Sequence, residues 1–74
     1  MKFAIIGAGN GGQSMAAHLT LTGHVVSLYD IQTELIENIN RLGGITAEGA
    51  FNGFAPVTAT TNLSEAVRGA DAIM

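Results

Sequence analysis

The stretch Ile5-Ile6-Gly7-Ala8-Gly9-Asn10-Gly11-Gly12-Gln13 decides how this chain is read. Four glycines fall within six positions, directly after the apolar run Phe3-Ala4-Ile5-Ile6. An unbroken apolar run of that length suggests a strand, Lys2 to Ile6, covered on both faces as in a parallel sheet. Asn10 to Leu21 then follows with helical spacing. Gly12, Ala16 and Leu19 fall on one side with Met15 beside them, the Met15 and Leu19 stripe is expected in the core, and Gly23 closes the segment as a C-cap. The glycines therefore sit where a buried strand turns into a helix.

The same rhythm continues downstream. His24 to Tyr29 reads as a second strand, rich in β-branched and aromatic residues. Thr33 to Leu42 reads as a second helix. Leu35, Ile36, Ile39 and Leu42 form its apolar stripe, with Ile31 just ahead. Glu34 and Glu37 near its start and Arg41 near its end suit the helix dipole, and Gly43-Gly44 stop it. Ile45 to Glu48 and Phe54 to Val57 are expected to pair as a small hairpin around Gly49–Gly53. Val57 to Thr60 continues as the third strand of the main sheet, with Pro56 at an edge or at its start. Asn62 opens a short helix, with Glu65 three residues on as in a capping box, and Arg68-Gly69 end it. Ala70 to Met74 reads as the start of a fourth strand. Strands alternating with helices over short connections predict an α/β fold with a parallel sheet. The expectation is the first half of a Rossmann-type domain, β-α-β-α-β-α-β, cut at its fourth strand.

Composition sets outer limits. With 74 residues, 47% hydrophobic and 12% charged, the chain is one small globular unit and not a disordered tail. Its end inside an apolar run suggests a piece of a longer protein. Net charge is −3, and the basic residues Lys2, Arg41 and Arg68 are scattered, which argues against nucleic acid as a partner. Cysteine is absent, so disulfides and thiolate chemistry are excluded within the chain. The apolar runs fall far short of the roughly 20 residues a membrane helix needs, and the expected location is the cytoplasm.

Gly7-Ala8-Gly9-Asn10-Gly11-Gly12 fits G-x-G-x-x-G. Glycine-rich hexamers are common, so the context matters. This one leaves an apolar strand, opens an amphipathic helix and is followed by Asp30 at the end of the next strand, 18 positions after Gly12. In that setting each glycine has a task. Gly7 permits the tight turn, Gly9 lets a pyrophosphate approach the backbone, and Gly12 lets the helix pack hard against the strand. Asn10 and Gly11 offer amides at the positive end of the helix. A strand–helix unit whose glycines serve packing alone is the bland alternative, and it leaves the spacing to Asp30 as coincidence. A P-loop needs Lys-Ser/Thr after its last glycine; here Gln13-Ser14 follows, which rejects it.

Asp30 bears on the choice of cofactor. A carboxylate there can accept hydrogen bonds from ribose hydroxyls and would repel a 2′-phosphate. The next residue is Ile31, and the nearest following basic residue is Arg41. NAD is thus favoured, with NADP less so. A solvated acid near a helix N-terminus is the alternative for Asp30 alone. Ser14, near the helix start, either contacts phosphate or caps the helix. His18 and His24 have no second ligand at metal spacing and no orienting acid, so no catalytic residue and no metal site is expected. Asp71 is expected to cap or to face solvent.

The segment from Met1 to about Tyr29 resembles the N-terminal domain of the octopine/nopaline (opine) dehydrogenase family. The resemblance rests on Ile5 through Gln13, Ala16-Ala17-His18-Leu19, Gly23-His24 and Tyr29-Asp30. Weaker agreement runs from Thr61 to Met74. The Asn10-Gly11-Gly12 form is its most distinctive part. Glycerol-3-phosphate dehydrogenases and ketopantoate reductases look similar over the same region but usually differ in the middle of the glycine turn. The resemblance implies an NAD(P)H-dependent reduction of the imine formed from an α-keto acid and an amino acid. It also implies that a helical C-terminal domain, absent from this chain, binds the small-molecule substrate and supplies the catalytic groups. Gly7, Gly9, Asn10, Gly11, Gly12 and Asp30 are the positions that match as cofactor-binding. A homodimer is open to the full-length protein. A non-catalytic NAD-binding sensor would share all of these residues. A site for FAD or S-adenosylmethionine is a third reading, which Asp at position 30 mildly disfavours for FAD.

Overall fold

A computed structural model describes residues 1–47 and 53–74. The first strand, β1 (Lys2–Ile6), leads through the glycine turn into α1 (Asn10–Leu21), and the chain returns as β2 (Val25–Tyr29). After α2 (Thr33–Leu42) come two short strands, β3 (Gly44–Ala47) and β4 (Gly53–Pro56). They are followed by β5 (Thr58–Thr60), α3 (Leu63–Val67) and β6 (Ala72–Ile73).

The main sheet has the order β5-β2-β1-β6, and every pairing in it is parallel. With the hairpin set aside, this is the 3-2-1-4 order of a Rossmann half. The register runs Lys2 to Val25 through Ile6 to Tyr29, so β1 and β2 end level with each other. Ala4 and Ile5 in β1, and Val26, Ser27 and Leu28 in β2, are buried in succession. Successive strand residues point to opposite faces, so consecutive burial means that helices cover both sides, as the apolar run implied. Leu28 is fully buried at the centre of the core, which continues through Ala16, Ala17, Ile36, Ile39 and Ala59.

The β3–β4 hairpin is antiparallel, pairing Gly44 with Pro56 and Ala47 with Gly53, and it packs on α1. Its expected turn falls largely outside the described residues. The hairpin changes what α1 buries. Covered by both the sheet and the hairpin, α1 buries Ala16 and Ala17, whereas Met15 is 41% exposed. At 100° per residue, Met15 lies about 150° from the centre of that face; its expected place in the core is corrected. Likewise Ile31 and Leu42 are exposed, so the stripe of α2 that the fold uses is Ile36 and Ile39, with Leu35 half-buried. His24 lies outside β2. Its amide donates to the Leu19 carbonyl and so finishes α1 before the strand begins.

At the β5 edge a side chain substitutes for a neighbouring strand. Asn40 Nδ2 donates to the Ala59 carbonyl at 2.8 Å, and Asn40 Oδ1 accepts from the Ala59 amide at 3.2 Å. The carboxamide thus satisfies both outward groups of one edge residue, a device against pairing with foreign strands. Asn40→Ala is expected to destabilise the full-length protein by about 1–2 kcal/mol, read from denaturant midpoints. Asn40→Asp should cost at least as much at neutral pH, because a carboxylate would face the Ala59 carbonyl; equal stability of all three proteins would refute the edge role.

Candidate functional site

The site lies where β1 ends between its two neighbours, at the carboxyl edge of the sheet. In an open α/β sheet, connections that diverge there leave a crevice. The Ile6 amide donates to the Met74 carbonyl at 2.8 Å and the Gly7 amide to the Tyr29 carbonyl at 2.7 Å. The end of β1 is therefore held on both sides up to the first glycine.

Gly7 has φ +110°, in a region L side chains rarely adopt, and this lets the chain leave the sheet in one residue. Gly12 is required for a different reason. A Cβ there would collide with the Gly7 carbonyl oxygen and come within 3.6 Å of Ile5 Cγ2. The helix thus rests directly on the turn that produced it. Gly9 and Gly11 behave differently. A Cβ on either would meet nothing within 4 Å, and Gly9 has φ −71° and ψ −175°, values open to any residue. Nothing in the protein itself demands glycine at position 9, and the bare backbone faces open space.

Gly9 is the N-cap of α1, with no side chain bonded to the cap. The first intrahelical bond runs from the Gln13 amide to the Gly9 carbonyl at 2.9 Å. The amides of Asn10, Gly11 and Gly12 thus belong to the first turn, which has no intrahelical acceptors, and no acidic residue sits there. Free donors, a positive helix end and missing Cβ atoms make a cradle for an anion. Ser14 is the fifth residue of the helix and exposed, so the capping role considered for it is ruled out.

Asp30 stands beside this cradle, at the end of β2. Its Oδ2 accepts from the Ala8 amide and its Oδ1 from the Gln32 amide, both at 2.9 Å. The Ala8 bond is the main cause that holds the carboxyl below the ordinary carboxylate range, and the Gln32 bond adds to it; desolvation opposes them. Asp30 is therefore an ionised acid tied to the glycine turn as well as an acceptor near it. Sequence reasoning brought Gly7, Gly9, Asn10, Gly11, Gly12 and Asp30 to one place, and the structure assembles them there. It missed Ala8, fully buried at the centre of the turn, and Gln13, whose Nε2 donates to the Ala8 carbonyl at 2.8 Å. The available signal for Gln13 was a long carboxamide within one helical turn of the glycines.

Other groups lie elsewhere. The Lys2 amide donates to Asp71 Oδ2 at 2.8 Å and Lys2 Nζ to the Arg68 carbonyl at 2.7 Å, at the opposite end of β1. Asp71 thus caps the start of β1. His24 packs edge-on against Phe3, with ring centroids 5.1 Å apart. Among the described residues no group of three or more His, Cys, Asp or Glu side chains could hold a metal ion. Nor is any described helix long and apolar enough to cross a membrane.

Over residues 2–74 the chain matches the family described as NAD-dependent glycerol-3-phosphate dehydrogenase N-terminus. It is 40% identical over 74 residues to an opine dehydrogenase of Arthrobacter sp. (strain 1C), covering 97% of this chain and 21% of that protein. It is 32% identical over 74 residues to a glycerol-3-phosphate dehydrogenase [NAD(P)+] of Acholeplasma laidlawii (strain PG-8A), covering 100% and 22%. A protein of the same name from Bacillus velezensis is 34% identical over 80 residues, covering 99% and 21%. The chain thus spans about a fifth of the length of these relatives.

Because its folded-state pKa is lowered, Asp30 contributes stability that is complete above its unfolded pKa of about 3.9 and is lost as pH falls through the folded value. The stability gap between the full-length protein and its Asp30→Asn variant should be constant from neutral pH down to about 5, then close below about 4. Unfolding midpoints measured across that range test this, and a gap that persists into strong acid would contradict it.

Proposed function

The chain belongs to the family of NAD-dependent glycerol-3-phosphate dehydrogenase N-terminal domains, and from that premise we propose that it holds the dinucleotide of a larger NAD(P)-dependent oxidoreductase. The observation that carries this reading is Gly9. Its backbone conformation suits any residue and a Cβ there would meet no atom beyond its chain neighbours within 4 Å, yet it is glycine at the open N-terminus of α1. A glycine that the fold does not impose fits a ligand that needs the space. The pyrophosphate would lie over Gly9 and receive the amides of Gly9, Asn10, Gly11 and Gly12, while Gly7 keeps the turn tight beneath it. Asp30 would offer its remaining lone pairs to the ribose hydroxyls. Its negative charge, with Ile31 next in sequence, favours NAD over NADP.

When bound, the nicotinamide supplies hydride transfer; this chain supplies binding, orientation and a field. Residues 1–74 form a partial dinucleotide-binding domain in this reading, and a helical C-terminal domain carries the substrate and the catalytic groups. The favoured reaction is reduction of the imine of an α-keto acid and an amino acid. Its support is the Asn10-Gly11-Gly12 form together with the 40% identity to an opine dehydrogenase. The second reading is oxidation of glycerol 3-phosphate, which the family match and the other two relatives favour. The cytoplasm, with its dinucleotide pool, is the proposed location, and a homodimer is the proposed assembly.

Nicotinamide fluorescence of the full-length protein should report tighter binding of NADH than of NADPH; the reverse order would remove the argument from Asp30. NADH consumption with an α-keto acid plus an amino acid, against NADH formation with glycerol 3-phosphate, separates the two reactions. Gly9→Val should weaken NADH binding by at least about tenfold while the unfolding midpoint stays near that of the parent. Unchanged affinity would place the pyrophosphate elsewhere.

A further inference from the structure

Gln13 holds two consecutive carbonyls of the glycine turn. Its backbone amide donates to the Gly9 carbonyl at 2.9 Å, and its side-chain Nε2 donates to the Ala8 carbonyl at 2.8 Å. A carbonyl can only accept, so the Nε2 end of the carboxamide must face Ala8. The first bond is ordinary helix geometry. The second is not: it reaches back past the N-cap to a peptide that belongs to the turn.

That peptide joins Ala8 to Gly9. No cis peptide occurs among the described residues, and in a trans peptide the C=O and the N–H point in opposite directions. Fixing the Ala8 carbonyl on Gln13 therefore fixes the Gly9 N–H away from Gln13. The preceding peptide is fixed independently, since the Ala8 N–H donates to Asp30 Oδ2 at 2.9 Å. Ala8 is fully buried between these two anchors. The turn is thus held from both sides, by an acid at the end of β2 and by a carboxamide in the first turn of α1, and neither anchor occupies the open space over Gly9 and Gly11.

We propose that Gln13 is a positioning residue for the pyrophosphate: it sets the direction of the Gly9 amide through the Ala8 carbonyl without touching the ligand itself. The inference rests on the dinucleotide reading above. It assigns to Gln13 an effect confined to the phosphate end of the ligand, because the ribose end is served by Asp30 through separate bonds.

The test compares ADP-ribose, which carries the pyrophosphate, with adenosine, which does not, both by calorimetry on the full-length protein. Gln13→Met keeps the length and apolar stem of the side chain and removes the donor. It should weaken ADP-ribose about tenfold, the effect of one well-placed hydrogen bond, and leave adenosine within about twofold. Gln13→Glu keeps the shape but turns acceptors toward the Ala8 carbonyl and adds a negative charge beside the phosphates, so its loss for ADP-ribose should exceed that of Gln13→Met. Equal loss for both ligands would make Gln13 a residue of general stability and overturn the proposal, as would wild-type affinity for ADP-ribose in either variant. Wild-type protein that bound no ADP-ribose would remove the dinucleotide reading itself, and the proposal with it.

Discussion

The contact on which this structure depends is the one between Gly12 and the carbonyl of Gly7. Position 12 has no room for even one carbon beyond the backbone. The first helical turn therefore lies directly against the turn it came from, and the start of α1 stands over the end of β1. A larger residue would lift the helix off the strand. The amides of the first turn would then no longer converge on the crevice beside Asp30. The parallel sheet, with β1 between β2 and β6, gives that crevice its position. The absence of a Cβ at Gly12 gives it its shape.

Much of this was legible because the relevant physics is local. A continuous apolar run signals two-sided burial, and β1 and β2 show it. The bounds of both long helices could be read from spacing and from the glycines that end them. The spacing of Gly7, Gly9 and Gly12, and its distance to Asp30, placed the site residues together because strand, turn and helix lengths leave little freedom. What was not legible depended on partners distant in the chain. Met15 lost its place in the core because the β3–β4 hairpin shares α1 with the sheet and turns the buried face toward Ala16 and Ala17. Asn40 reads as an ordinary polar residue of a helix until β5 lies beside it. Hydropathy states which side chains would gain from burial but not which of them find cover, as Ile31 and Leu42 show.

Asp30 illustrates a second limit. From sequence it is an acid at a conspicuous distance from a glycine turn, and its natural reading is an acceptor for a ligand. In the structure both of its oxygens already accept backbone amides, one from the turn and one from the start of the next helical segment. A residue read as a discriminator between cofactors is also a tie in the protein. The two roles are compatible because a carboxylate has about four lone-pair sites and the two amides use two of them. The amides also favour the charged form, so the acceptor is present as an anion at neutral pH.

An anionic tie stands beside a helix start whose amides are free. The first turn of α1 has no acidic residue, and its amides present a positive end to the crevice. The charge of Asp30 is spent on the Ala8 and Gln32 amides, which belong to the segments on either side of the cradle and not to the helix start. Asp30 engages the Ala8 and Gln32 amides and leaves those of Asn10, Gly11 and Gly12, which have no intrahelical acceptor, untouched. The division of donors between an internal acid and an external ligand follows from chain geometry: the Ala8 N–H points to β2, while the amides of residues 10–12 point along the helix axis. A carboxylate at the end of β2 and a bare helix start at the end of β1 therefore stand side by side without competing for the same backbone amides.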